Sequence, residues 1–107
     1  DTQSFRATTS DEALIVAELA GQVVGFASIY IPDHFLHHLY VDPGVQRKGV
    51  GAALLSEMHR IIGSDASLKC QVQNTTARDF YAANGWVEDS GIGGRDELGD
   101  WLQLRIT

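Results

Sequence analysis

The stretch from residue 41 to residue 55 restricts the fold more than any other, because it joins a strand end, a glycine-rich turn and an apolar helix. Arg47 and Lys48 stand where the helix would begin, although the positive end of a helix dipole repels cations. Gly49 and Gly51 each lower helix propensity by up to about 1 kcal/mol relative to alanine. These four residues disfavour the start of a helix, but they are suited to a turn whose free backbone N–H groups bind an anion.

Two well-known phosphate-binding motifs do not fit this turn. Gly44 and Gly49 have the spacing of a P-loop, but Val50 and Gly51 occupy the positions that require Lys and Ser or Thr. The dinucleotide-binding fingerprint needs a further glycine three residues after Gly51, where the sequence has Leu54. The pattern that remains follows a predicted strand, opens a predicted helix and reads Gln46-x-x-Gly49-x-Gly51-Ala52.

This pattern resembles the pyrophosphate-binding motif of the GNAT superfamily of N-acetyltransferases, which use acetyl-coenzyme A (acetyl-CoA). A second block, from Asn74 to Trp86, resembles the downstream motif of the same family, with Asn, Ala, Phe-Tyr and Gly-aromatic in order. The resemblance covers roughly residues 12–107. It implies an α/β (α+β) fold, with a mixed, mostly antiparallel sheet flanked by helices and a central parallel strand pair splayed for acetyl-CoA.

Bulk properties restrict the class of protein. A length of 107 residues predicts one domain. The formal net charge of −6 argues against nucleic-acid binding, which needs a basic face. We expect no membrane association, because no apolar run approaches the roughly 20 residues of a spanning helix. Cys70 is the only cysteine, which excludes an internal disulfide and favours a cytoplasmic location.

Apolar periodicity and turn residues predict the element order ββ-β-α-β-α-β-β. The predicted strands are 13–19, 23–31, 35–41, 68–72, 86–89 and 101–106. The first helix rests on apolar residues at helical spacing and ends at Gly63, and the second is capped by Thr76 and runs to Asn84. Residues 1–10 show no clear period, and residues 91–99 are predicted to form a flexible polar loop.

The family resemblance implies a first strand and two helices ahead of the first hairpin. Only about a dozen residues precede that hairpin here, so residues 1–107 are predicted to form a single GNAT-like domain that lacks most of these elements. Two explanations stay open: a truncated or minimal version of the domain, or completion by a partner subunit, for example in a homodimer.

The resemblance implies two ways of holding acetyl-CoA. Backbone N–H groups of the turn would bind the pyrophosphate, and N–H groups at the end of the preceding strand would polarise the thioester carbonyl. Asn74 would either bond the arm of the cofactor or cap the second helix, and both roles stay open. The predicted cofactor-binding residues are Leu39, Tyr40, Val41, Gln46, Arg47, Lys48, Gly49, Val50, Gly51, Ala52 and Asn74.

Tyr81 is the predicted catalytic acid, since the family places a tyrosine at this motif position near the sulfur. The ordinary pKa of a tyrosine, about 10, leaves it with a proton to give at neutral pH. His37 is the first choice for the base, with His38, His34 or a water molecule as alternatives. Strand alternation is expected to place His37 on the same face as Leu39. No metal site is predicted, because the three histidines lack a fourth ligand at recognisable spacing.

The predicted function is therefore transfer of an acetyl group from acetyl-CoA to a primary amine of a small molecule or protein. The acidic balance slightly favours cationic amines. The alternative is a domain that binds acetyl-CoA without catalysis and regulates or assembles a partner. The sequence does not identify the amine.

Overall fold

In a computed structural model the described residues are 11–45, 49–63 and 65–106, together with the backbone of residues 2–8. The strands of these segments are β1 (Thr2–Thr8), β2 (Glu12–Leu19), β3 (Gln22–Tyr30), β4 (Phe35–Val41), β5 (Ala66–Gln71), β6 (Val87–Asp96) and β7 (Gly99–Ile106). The helices are α1 (Val50–Ile62) and α2 (Thr75–Ala83), and a short 3-10 turn covers Pro43–Val45. The chain divides into two compact units, residues 1–63 and 64–107.

The first unit is an antiparallel sheet in the order β1-β2-β3-β4, with α1 packed against it. Alternate residues of β2 and β3 are buried, as period-2 patterning requires for one covered face. The helix contributes an apolar stripe at helical spacing, so sheet and helix form one core. The largest fully buried side chains of the described residues all lie in this unit: Ile15, Ile29, Val50, Leu54 and Met58.

The second unit has three antiparallel strands in the order β5-β7-β6. In the chain, α2 lies between β5 and β6. Its buried side chains come from both ends of the segment, with Leu68 and Cys70 on β5 and Leu104 on β7. Trp86, just before β6, is 3% exposed and closes this core.

Several predicted elements agree with the structure. The strand predicted over residues 35–41 is β4, and the helix predicted after the glycine turn is α1. Gly63 ends α1 with a φ of +75°, a conformation that favours glycine, and its N–H donates to the carbonyl of His59.

Two local predictions are wrong, and one strand is missing from the predicted element order. Residues 2–8 form β1, whose polar sequence lacks strand periodicity and which is instead defined by backbone pairing with residues 13–19 of β2. The loop predicted over residues 91–99 is mostly strand, because β6 continues to Asp96 and pairs with β7. Helix α2 begins two residues earlier than expected, with Asn74 rather than Thr76 at its N-cap.

Two further predictions are not tested by the described structure. The splayed parallel strand pair would involve one strand from each unit, and it stays a prediction. The reduced N-terminal region of the domain also stays a prediction.

Candidate functional site

The predicted anion-binding turn follows β4 directly. Asp42 accepts a hydrogen bond from the backbone N–H of Gly44 at 2.8 Å, and its carbonyl accepts one from Val45 at 3.0 Å, which closes the 3-10 turn. Three predicted cofactor-binding residues, Gln46, Arg47 and Lys48, lie outside the described residues. The description of the turn resumes at Gly49, where the chain enters α1.

Gly49 is the N-cap of α1 and has φ +82° and ψ 7°, the left-handed conformation that glycine adopts without strain. Because glycine has no side chain, it cannot cap the N–H groups of the first turn, which have no partner within a helix. Among the described residues, a Cβ at Gly49 would meet nothing within 4 Å. No described residue therefore fills the space beside this backbone, where the diphosphate is predicted to bind.

The other predicted cofactor-binding residues at the start of α1, Val50, Gly51 and Ala52, differ in solvent exposure. Val50 and Gly51 are buried, and Ala52 is half-buried. The side chain of Val50 is part of the core, 1% exposed, so these three residues could contact a ligand through their backbone N–H groups. The first intrahelical bond, from Ala53 N–H to the Gly49 carbonyl, is 3.0 Å long.

The predicted carbonyl-binding strand, β4, pairs with β3 through Leu39 with Ala27, Tyr40 with Phe26 and Val41 with Gly25. The ring of Tyr40 stacks on Phe26 with centroids 5.7 Å apart and is 49% exposed. Leu39 and Val41 are half-buried.

The strand alternation predicted for His37 is wrong. The register between β3 and β4 shifts, with Ile29 opposite Leu36 but Ser28 opposite His38, so His37 is the extra residue of a β-bulge. The bulge breaks the period of two. The ring of His37 stacks on Tyr30, which lies on the same face of β3 as Ser28, the partner of His38. His37 therefore shares a sheet face with His38 and not with Leu39.

The bulge brings the two candidate bases together, and their rings are 5.9 Å apart. Nδ1 of His37 is 3.9 Å from Oε1 of Glu12 on β2, and Phe35 contacts the same ring edge-on. The His37 side chain is 43% exposed, so its ring is accessible to a ligand. His34 lies in the preceding turn with φ +50°. Sequence reasoning did not find Glu12, because its partner is distant in the chain.

Tyr81, the predicted acid, projects from α2 into an aromatic cluster. Its ring contacts Phe80 and Trp86 edge-on, with centroids 5.3 and 5.7 Å away. Burial raises the pKa of Tyr81 to about 12, with a smaller contribution from the nearby Cys70. Tyr81 therefore keeps its proton through the whole neutral range. Burial also raises the pKa of the Cys70 thiol, against a smaller opposing effect of Arg78.

Asn74 caps α2, one of the two roles left open above. Its Oδ1 accepts a hydrogen bond from the backbone N–H of Ala77 at 3.1 Å. The amide nitrogen is not used by this bond.

The second unit also contains a cleft of about 600 Å³ beside α2. Arg78 crosses it, pairing with Glu88 and donating to the carbonyl of Val72 at 3.1 Å. The lining residues are Thr75, Arg78, Asp79, Ala82, Trp86, Val87, Glu88 and Leu104. None of the residues predicted to act in catalysis lines this cleft.

The described residues hold neither a cluster of metal ligands nor a membrane-spanning helix. No three His, Cys, Asp or Glu side chains in these segments converge as metal ligands. No helix here has the length and apolarity to span a bilayer.

Comparison with known proteins gives the family. The family model described as "Acetyltransferase (GNAT) domain" matches residues 10–88, more than half of the chain. The chain therefore belongs to the GNAT acetyltransferase family. An "Uncharacterized N-acetyltransferase YhfO" from Bacillus subtilis (strain 168) is 29% identical over 99 residues, with 81% of this chain and 66% of that protein covered.

Solved structures share the fold. The PaiA N-acetyltransferase from Thermoplasma acidophilum, in complex with coenzyme A, has a TM-score of 0.74 at 22% identity and covers 91% of this chain and 62% of its own. The ribosomal-protein-S18-alanine N-acetyltransferase from Escherichia coli has a TM-score of 0.69 at 20% identity, covering 91% and 69%. The predicted mixed α/β fold class is confirmed by these similarities. The chain spans a little under two thirds of the Thermoplasma and Bacillus relatives.

Proposed function

We propose that this chain is an N-acetyltransferase domain that transfers an acetyl group from acetyl-CoA to a primary amine. The proposal rests on one observation: Gly49 precedes α1 in a left-handed conformation, with no described atom within 4 Å of a Cβ there, inside a segment that matches the GNAT family. The relative from Thermoplasma acidophilum was solved with coenzyme A, which supports the same class of cofactor here.

Two regions of the chain are proposed to bind different parts of the cofactor. Backbone N–H groups at Gly49, Val50, Gly51 and Ala52 would hold the diphosphate, assisted by Arg47 or Lys48 and by Gln46. Backbone groups of Leu39, Tyr40 and Val41 would contact the acyl end. We assign Asn74 both roles, because its oxygen caps α2 while its amide nitrogen stays available to the cofactor arm.

When bound, acetyl-CoA supplies a thioester whose acetyl carbon forms a bond to the amine nitrogen as its bond to sulfur breaks. The base, His37 with His38 or a water molecule as alternatives, takes the proton that the amine must lose. Tyr81 gives a proton to the departing sulfur, and its raised pKa ensures that the proton is present at neutral pH. Backbone N–H groups of β4 would stabilise charge on the carbonyl oxygen.

Calorimetry with acetyl-CoA, beside pantetheine as a control that lacks the diphosphate, tests the central claim. We expect measurable binding of acetyl-CoA and much weaker binding of pantetheine, because the diphosphate provides the contact with the turn. Absence of heat and of a thermal shift at millimolar acetyl-CoA would overturn the proposal. Thiol release across a panel of amines then separates a catalyst from a domain that only binds the cofactor.

The choice of base has its own measurement. His37→Gln and His38→Gln are compared separately in the pH profile of kcat/KM, since a histidine base must be neutral to accept a proton. Loss of the acidic limb in the His37 variant alone would support His37, and an unchanged profile in both would favour water.

The location and assembly are also part of the proposal. The single cysteine supports a reducing cytoplasm. A homodimer is consistent with the exposed apolar residues Leu14 and Tyr40, and light scattering at micromolar concentration tests it, with a clean monomer as the contrary result.

A further inference from the structure

Gln71, the last residue of β5, has a buried oxygen without a protein partner. Among the described residues, its Oε1 is the buried side-chain polar atom that lacks a hydrogen bond. A desolvated acceptor without a donor is unfavourable, and in native structures it usually marks an ordered water or a ligand donor.

The orientation of this amide is fixed. Nε2 of Gln71 donates to both carboxylate oxygens of Asp96, at 3.1 and 3.4 Å. Asp96 also pairs with Lys69 and accepts from the Leu98 backbone N–H at 2.8 Å. The Lys69 ammonium is the main reason that the pKa of Asp96 is lowered, so the carboxylate remains an acceptor. Rotating the amide would set oxygen against oxygen, and Oε1 therefore cannot use Asp96.

Gln71 lies on the face of β5 and β7 that carries the polar side chains Lys69 and Gln103. Its cross-strand partner is Trp101, whose ring lies 5.0 Å below the Lys69 ammonium. Gln71 follows Cys70 in an extended strand, so the two side chains leave β5 on opposite faces. Cys70 is the neighbour of Tyr81, and Gln71 consequently faces away from the proposed acid.

The same side provides a matched comparison. Gln103 on β7 donates its Nε2 to Oδ2 of Asp89 at 3.1 Å, as Gln71 does to Asp96. The oxygen of Gln103 is not among the buried atoms without a partner. The two glutamines thus share a carboxylate-bound amide and differ in the unpartnered oxygen.

We infer that Oε1 of Gln71 accepts a hydrogen bond from an N–H group of a bound ligand of the transfer reaction. This inference rests on the proposed function. Two sources share the required chemistry: an amide N–H of the cofactor arm and the amine of the acceptor. A hydrogen bond from either ligand would remove the free-energy cost of the unpartnered oxygen. The affinity for that ligand should therefore depend on Gln71.

The first test compares Gln71→Met with Gln103→Met, since methionine keeps the length of the side chain and each variant loses the hydrogen bonding of its amide nitrogen to one carboxylate group. We expect Gln71→Met to weaken ligand binding by about 5- to 10-fold, the effect of one hydrogen bond, with Gln103→Met unchanged. A weaker Kd for acetyl-CoA identifies the cofactor arm, and a raised KM for the amine alone identifies the acceptor. Equal affinities in both variants would overturn the inference.

A second readout does not depend on turnover. The side-chain amide signals of Gln71 are followed by NMR as coenzyme A and then an amine from the active panel are added, with those of Gln103 as the internal reference. We expect Gln71 to shift selectively with one of the two. An active wild type whose Gln71 signals do not move contradicts this inference alone, whereas a wild type that neither binds coenzyme A nor releases thiol contradicts the proposed function and this inference together.

Discussion

A Cβ atom on Gly25 would lie 2.7 Å from the backbone carbonyl oxygen of Tyr40 on the neighbouring strand. Side-chain atoms of Val50 and Leu54 lie 3.2 and 3.3 Å from the same position. The absence of a side chain at Gly25 therefore lets β4 and the first turn of α1 approach β3 together. Since these two elements carry the proposed cofactor-binding backbone, Gly25 positions the site without contacting the ligand.

Gly25→Ala is expected to destabilise the fold by about 1–3 kcal/mol, because the added methyl group meets backbone that cannot rotate away. The free energy of unfolding, measured with urea, checks this. Gly44→Ala is the control, since a Cβ there has its nearest neighbour at 3.4 Å, an ordinary contact. Equal stability of the two variants would show that β4 shifts at little cost.

Glycines also mark the limit of what the sequence could predict. Gly93 and Gly94 were interpreted as loop residues, but they lie in β6 against Trp101. A Cβ would come 2.7 Å from the Trp101 carbonyl at Gly93 and 3.0 Å from the Trp101 ring at Gly94. The lack of a side chain at these two positions lets β6 pack closely against Trp101 of β7. Local composition does not reveal this, because it depends on the neighbouring strand.

The predictable part of the site was the part encoded by local pattern. The apolar spacing of α1 and the glycine that opens it follow from a continuous segment, and so does the position of Tyr81 on α2. The bulge at His37 and the unpartnered oxygen of Gln71 follow from pairing between strands. Contacts of that kind have no signature in a short stretch of sequence.

Gly49→Asn tests the diphosphate site with little effect on folding. Asparagine tolerates the left-handed conformation better than other residues with side chains, and a Cβ at Gly49 meets no atom of the described residues within 4 Å. The side chain would instead fill the space where the diphosphate is proposed to bind. We expect the melting temperature to change little and the affinity for acetyl-CoA to fall at least about 10-fold, measured by calorimetry.

Gly21→Asn is the matched control for this change. Gly21 has φ +81° and equally open surroundings, but it lies in the hairpin between β2 and β3. Its variant should bind acetyl-CoA like the wild type. Undiminished affinity in the Gly49 variant would place the diphosphate elsewhere.

Substitutions of Asn74 separate its two proposed roles. Asn74→Asp keeps the oxygen that accepts from Ala77, whereas Asn74→Ala removes it and should cost about 1 kcal/mol of stability. Both variants lack the amide nitrogen. We expect the aspartate variant to retain the wild-type melting temperature but to bind acetyl-CoA several-fold more weakly. If its affinity equals that of the wild type, Asn74 acts only as a helix cap.

Tyr81→Phe should reduce turnover on the order of 100-fold while leaving the affinity for acetyl-CoA nearly unchanged. The hydroxyl is needed only as the sulfur departs, and general acids typically contribute factors of this size. Steady-state kinetics and calorimetry on the same preparation provide the two numbers. A parallel loss of affinity and turnover would instead indicate that Tyr81 serves the packing of the aromatic cluster.

The same variant has a stability effect that is confined to alkaline pH. The pKa of Tyr81 is raised from 10.0 to about 12 on folding, so between these values the folded chain holds a proton that the unfolded chain has lost. Stability due to this group is therefore fully present below pH 10 and is lost as pH rises toward 12, by at most about 3 kcal/mol. Urea unfolding at pH 9 and pH 11 should show a steeper loss in the wild type than in Tyr81→Phe. Equal losses would mean that the hydroxyl is as well solvated in the folded chain as in the unfolded one, and that folding does not raise the pKa of Tyr81.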